Sequence, residues 1–230
     1  MNSEKFMNPK RENEDISEQE LIGLVVHAYN NHLAAITGFN EIALLHSNQE
    51  KTEELLELSL KSAKQASYLG QSLLASVSRL QLELEAISIA EIVSKLIKLY
   101  PSVHFDVSCK DSDEIISQTE WLMDCITEMV EFLNRLAIVQ ERKSEIKIAL
   151  KLNSTKQQME MLVGSDVSSL EILHQTNLFN LYYSSKKMFG TAGVGLAKVK
   201  GFFNQTKASV EWSDGEGFVV VLPTKRVPFR

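Results

Sequence analysis

Two residues one helical turn apart, His27 and Asn31, have the types and spacing for chemistry within residues 25–45, VVHAYNNHLAAITGFNEIALL. Leu21, Val25, Tyr29, Leu33, Ile36, Phe39 and Ala43 recur at spacings of three and four and mark one apolar stripe of a helix. At about 100° per residue, His27 lies almost opposite the centre of that stripe. It is therefore expected to face solvent in the middle of the helix. Asn31 falls on the same side, and Gly23, Ala34 and Gly38 flank it with little bulk. An exposed imidazole on so flat a surface can be approached closely by another protein, as phosphoryl transfer between a histidine and an aspartate requires. The plain reading of the pair is a surface histidine and a solvated asparagine, and both readings stand at this point. His32 lies nearer the stripe edge and is expected to pack. A second chemical feature is Gly190-Thr191-Ala192-Gly193-Val194-Gly195-Leu196-Ala197. Glycines ahead of a helix let backbone amides approach a phosphate at the helix N-terminus; a flexible turn is the other reading.

The elements that would position these residues fall into two groups. Residues 1–16 are polar and read as a disordered tail. Ser17-Glu18-Gln19-Glu20 is a capping box that opens a helix running to about His46. After the polar break His46-Ser47-Asn48-Gln49, a second helix is expected from about Thr52 to Leu82, with Leu55, Leu58, Ser62, Ala66, Leu69 and Leu73 as its stripe. Two such helices make an antiparallel hairpin, 17–84, that buries little by itself and is expected to pair with a copy as a dimeric four-helix bundle. The domain boundary is placed between about Leu80 and Ser88. Residues 87–225 then alternate: helix Ile89–Tyr100, strand Val103–Cys109, helix Thr119–Val139, strands Glu145–Leu152 and Gln158–Val163, helix Gly193–Gln205, and a hairpin of Ala208–Ser213 and Gly217–Pro223 around Asp214-Gly215. The fold class is α+β, a helical hairpin followed by a two-layer α/β sandwich.

Composition narrows the partners. The net charge of −6, with 44% hydrophobic and 23% charged residues, suits a soluble protein and argues against a nucleic-acid partner. No stretch approaches the roughly 18 apolar residues of a membrane span, and the N-terminus lacks the apolar core of a secretory signal. Cys109 and Cys125 have no metal-type spacing and read as buried thiols in a reducing cytoplasm. A cytoplasmic protein without a membrane region is the expectation.

Residues 25–45 resemble the H-box helix of histidine kinases, in the subgroup with a His-acid-aromatic-Asn-Asn pattern, and the end of the second helix, QASYLGQSLLASVSR, resembles the second helix of the same dimerisation and phosphotransfer domain. The likeness continues from about Ile87 to Pro223 with the family's ATPase-like (Bergerat) domain. There Asn177–Lys187, NLFNLYYSSKK, looks like the segment before the ATP lid, and Gly190, Gly193 and Gly195 look like the second glycine box. The resemblance implies that His27 is the phospho-accepting residue and that Asn31 matches the amide associated with orienting water for response-regulator dephosphorylation.

Several departures bear on activity. Ala28 stands where the family carries the acid that serves as base in autophosphorylation, and it can neither accept nor position a proton. Phe132 stands at the magnesium-holding asparagine and offers no oxygen to a hard cation; Glu128 lies one turn earlier, and it and Glu131 read more simply as the helix's wet face. The first glycine box falls at Leu162-Val163-Gly164-Ser165-Asp166-Val167, with Val163 in the place of the adenine-binding aspartate and Asp166 as a displaced substitute only if the alignment slips. The resemblance therefore implies a histidine phosphotransferase that relays a phosphoryl group through His27 to or from response-regulator receiver aspartates, as a homodimer, with Gly190, Gly193 and Gly195 vestigial and no cofactor. An active soluble histidine kinase using ATP and magnesium is one alternative. A non-catalytic adaptor or response-regulator phosphatase using Asn31 is the other.

Overall fold

The computed structural model describes residues 18–46, 48–143, 145–153, 155, 157–166, 169–170, 175, 177–180 and 194–225. The expected N-terminal tail, Ser17 of the capping box, and Gly190 and Gly193 lie outside them. Helix α1 (Glu18–Leu45) and helix α2 (Gln49–Ser76) are joined through residues 46–48. Asn48 caps α2: its Oδ1 accepts from the Lys51 amide at 3.2 Å, and its carbonyl accepts from the Thr52 hydroxyl at 2.9 Å. So short a joint makes the pair an antiparallel hairpin. Val25, Tyr29, His32, Ile36 and Phe39 are half-buried on α1 and Ala43 is buried; α2 meets them with buried Leu55, Ser59, Ser62 and Ala66. Leu33, expected inside the stripe, is 50% exposed, and Val26, Leu44, Leu56 and Leu60 are also open. The hairpin thus keeps an uncovered apolar flank.

The chain divides into two compact units, Met1–Ala66 and Ser67–Arg230, so the division falls inside α2. The last turns of α2 belong with the second unit because α5 (Leu196–Gln205) is shaped to receive them. A Cβ on Gly201 would stand 1.9 Å from the Ala75 carbonyl oxygen, so only glycine admits this approach. Ser78 donates its hydroxyl to the Gly201 carbonyl at 2.8 Å. The Gln205 side chain accepts from the Leu80 amide at 3.0 Å and donates to the Leu80 carbonyl. α2 ends at Ser76, short of the expected Leu82, because Ser78 turns left-handed (φ 55). Its amide then reaches the Ala75 carbonyl, and the Arg79 amide reaches Leu74.

The second unit continues with β1 (Glu85–Ser88), α3 (Ile89–Leu99), β2 (His104–Ser108), β3 (Glu114–Ser117), α4 (Thr119–Val139), β4 (Ile146–Asn153), β5 (Gln158–Ser165), α5, β6 (Ser209–Ser213) and β7 (Gly217–Pro223). A five-stranded sheet runs β2-β4-β5-β7-β6, with β2 parallel to β4 and the other pairs antiparallel. β1 and β3 pair separately, Ile87 opposite Ile115. Alternate residues of the central strands, Ile148 and Leu150, Met161 and Val163, Val220 and Leu222, point into one core with α3, α4 and α5. This is the expected α+β class: a helical hairpin followed by a two-layer sandwich.

Gly201→Ala should lower stability by about 2 kcal/mol or more, because the clash is with backbone rather than a yielding side chain. Thermal unfolding followed by circular dichroism checks this, and an unchanged Tm would mean that α2 and α5 do not approach so closely.

Candidate functional site

α1 carries His27 and Asn31 in the middle of an unbroken helix, and both side chains are exposed. Ala28 and His32 are half-buried on the α2 side. A Cβ on Gly23 or Gly38 would meet nothing within 4 Å, so nothing within the chain asks for glycine at either place. Gly23, one turn before His27, keeps relief low beside it. The chemistry open to this surface is that of an imidazole nucleophile and an adjacent amide, both accessible to a protein-sized partner.

In the second unit, the residues that the resemblance sets against nucleotide positions are packed or paired within the chain. Phe132 is 1% exposed and lies edge-on to Trp212 (centroids 5.9 Å apart) and Phe218 (5.5 Å). Val163 is fully buried in β5 between Ile148 and Phe218 of the neighbouring strands. Gly164 is glycine for packing: a Cβ there would stand 1.9 Å from the Glu216 carbonyl oxygen in the β6–β7 turn. Asp166 accepts from the Glu145 amide at 3.0 Å and pairs with Arg142 at 3.6 Å, holding the entry to β4. Gly195 precedes α5 at φ 52, ψ −140, a backbone conformation open almost only to glycine.

Glu128 is not a wet-face residue. Its two oxygens meet Arg135 Nη2 at 3.1 Å and Lys198 Nζ at 3.1 Å. The Lys198 side chain, in the first turn of α5, is 4% exposed, and its ammonium also meets Asp124 Oδ2 at 2.9 Å. Tyr68, from the α2 tail, donates its hydroxyl to Asp124 Oδ1 at 2.8 Å and sits against the same ammonium. Burial alone would lower the Lys198 pKa; the Glu128 and Asp124 carboxylates outweigh it and raise that pKa above the ordinary lysine range. Burial raises the Tyr68 pKa, with Lys198 opposing. Sequence reasoning missed this group, although a lysine in the otherwise apolar run Leu196–Val199 was a visible anomaly.

A magnesium nucleotide does not fit these residues. Phe132 supplies no oxygen, Glu128 is neutralised by two cations of the chain itself, and Val163 cannot accept from a base.

The fold has known counterparts. The Acinetobacter baumannii histidine kinase AdeS matches 86% of this chain and 98% of its own at 13% identity, with a TM-score of 0.53. Full-length ShkA, solved in complex with AMPPNP, matches 91% of this chain and 46% of its own at 14% identity, with a TM-score of 0.57. The chain has the fold of a histidine-kinase core. No protein-family model matches the sequence, and no curated protein matches it. Among the described residues no helix is long and apolar enough to cross a membrane.

Lys198→Ala should destabilise the protein by about 3–5 kcal/mol, because it strands Asp124 half-buried without its cation and leaves Glu128 with Arg135 alone. Combining Lys198→Met with Asp124→Asn and Glu128→Gln should recover most of that loss. Urea unfolding of both variants decides: a triple variant no better than the single one would mean that packing, not charge, sets the cost.

Proposed function

We propose that this chain is a two-component signalling protein, a cytoplasmic homodimeric histidine phosphotransferase that carries a phosphoryl group on His27 to or from receiver-domain aspartates. The observation that carries the reading is the exposed His27 at the centre of α1, with exposed Asn31 one turn on and Gly23 one turn before. The fold it shares with histidine kinases supports that context. The open apolar flank of Val26, Leu33, Leu56 and Leu60 supports a second copy against the hairpin.

In transfer, a ring-nitrogen lone pair of His27 attacks the phosphorus of a receiver's aspartyl phosphate. The N–P bond forms as the acyl O–P bond breaks, and the aspartate leaves as carboxylate. Its imidazole proton passes to solvent, so no base on α1 is needed, consistent with Ala28. Transfer the other way reverses each bond. The donor is an acyl phosphate and not ATP, consistent with Phe132, Val163 and the neutralised Glu128. Asn31 gives a second reading, a receiver phosphatase, because its exposed amide could hold a water beside the phosphoryl group.

Incubation with receiver domains phosphorylated by acetyl phosphate should place an acid-labile label on the chain, and His27→Gln should abolish it. Asn31→Ala should leave labelling intact and slow receiver dephosphorylation by about tenfold or more. Calorimetry with magnesium AMPPNP should show no binding. A label that survives His27→Gln, or one acquired from ATP, would sink the phosphotransferase reading.

A further inference from the structure

Charge on the hairpin is segregated by height. Glu41, Glu50, Glu53, Glu54 and Glu57 crowd the end near the joint, together with Lys51, which pairs with Glu54 at 3.7 Å. Away from the joint the pattern inverts. Leu21–Asn40 of α1 holds no Asp, Glu, Lys or Arg, and the only charged residues of Leu58–Ser78 are Lys61 and Lys64. Both are exposed, and among the described residues neither makes an ion pair.

The hairpin sets Lys61 near the level of Asn31 and Lys64 near that of His27. Equal counts of residues from residue 47 put Lys61 level with Leu33 and Lys64 level with Asn30. At a rise of about 1.5 Å per residue, Lys61 stands about 3 Å along the axis from the level of Asn31, and Lys64 about 4.5 Å from that of His27. The side is right as well. Turning about 100° per residue from the buried line of α2, Leu56 and Leu60 fall on one flank and Lys61 on the other, with Lys64 facing outward beside it. In α1, Val26 and Leu33 fall on one flank of the inward line, and Asn31, with His27 next to it, on the other. In an antiparallel pair, equal senses of rotation meet on the same side. The apolar flanks of the two helices therefore share one side of the hairpin, and His27, Asn31 and Lys61 share the opposite one.

We infer that Lys61 and Lys64 are the electrostatic half of the docking surface around His27, recruiting the anionic phosphoaspartate face of a receiver domain. This deepens the phosphotransfer reading and rests on it. An aspartyl phosphate is anionic whichever protein carries it, and a phosphorylated His27 is anionic too. Two exposed ammonium groups on that side of the hairpin favour both, and the nearest carboxylate along α2 is Glu57, one turn from Lys61 toward the joint. Their effect belongs to encounter more than to the chemical step, since exposed charges act mainly on association rate.

The test uses the full chain and a panel of receiver domains phosphorylated with acetyl phosphate, with association rate and His27 labelling read separately. Lys61→Glu/Lys64→Glu should slow association about tenfold or more at about 0.05 M salt and lose most of that effect at about 0.5 M salt. Lys51→Glu, at the joint end, should stay within about twofold. If the double variant has a lower Tm, Lys61→Gln/Lys64→Gln should give the same direction with a smaller change. Receivers that associate with wild type and with the charge-reversed chain at one rate at low salt, while labelling proceeds, overturn the lysine inference alone. Receivers that associate without ever labelling His27 overturn the phosphotransfer reading, and the lysine inference as phrased goes with it. Association with none of them overturns both.

Discussion

The ammonium of Lys198 holds the second unit together at the point where three helices converge. Removing such a group from water costs several kcal/mol, and the cost is met only because Asp124, Glu128 and Tyr68 surround it at hydrogen-bonding distance. Arg135 supplies a second cation to Glu128, so two carboxylates and two cations balance. The partners come from α2, α4 and α5. The small-residue seam beside the ammonium works to the same end. Ser72, Ala75 and Gly201 let the backbones of α2 and α5 close together, and the Gln205 amide pairs with both backbone groups of Leu80.

The same economy runs through the sheet side of the unit. Phe132, Trp212 and Phe218 form edge-to-face pairs that complete the core between α4 and the β6–β7 hairpin. Gly164 yields its side-chain space to the Glu216 carbonyl, so the hairpin turn seats directly on β5. Phe132, Val163, Gly164 and Glu128 are thus all packing or pairing residues of the chain itself.

Much of this was legible beforehand, and the exceptions have physical causes. α1, α4 and the β6–β7 hairpin carry strong local signals: a period of 3.6 residues over many turns, or Asp214-Gly215 between alternating strands. β1 and β3 did not, because four-residue strands are too short to show a period and exist only through their pairing. The end of α2 was overrun because its stop is a left-handed serine rather than a glycine. Lys198 was missed, and Glu128 read as wetted, because their partners lie far apart in sequence and no single stretch displays a charge balance made in three dimensions. The positions of His27 and Asn31 on the open face of α1 were legible because one helix's periodicity decides them. Gly190 and Gly193 lie outside the described residues, and Gly195 is present as a backbone requirement.

Under the proposed phosphotransfer role, what α1 withholds matters as much as what it presents. With ATP as donor, the imidazole benefits from a neighbouring carboxylate that takes its proton and orients the ring. With an acyl phosphate as donor, the leaving carboxylate is far less basic and the bond broken is already weak, so that help counts for less. A carboxylate beside His27 would also stand close to the incoming dianion and to its counterpart after transfer, an unfavourable contact in both directions. Ala28, the charge-free run from Leu21 to Asn40, and glycines that nothing within the chain requires all lower the barrier to approach while giving up a base. That combination suits a site whose difficulty is encounter and alignment with another protein rather than activation of its own nucleophile.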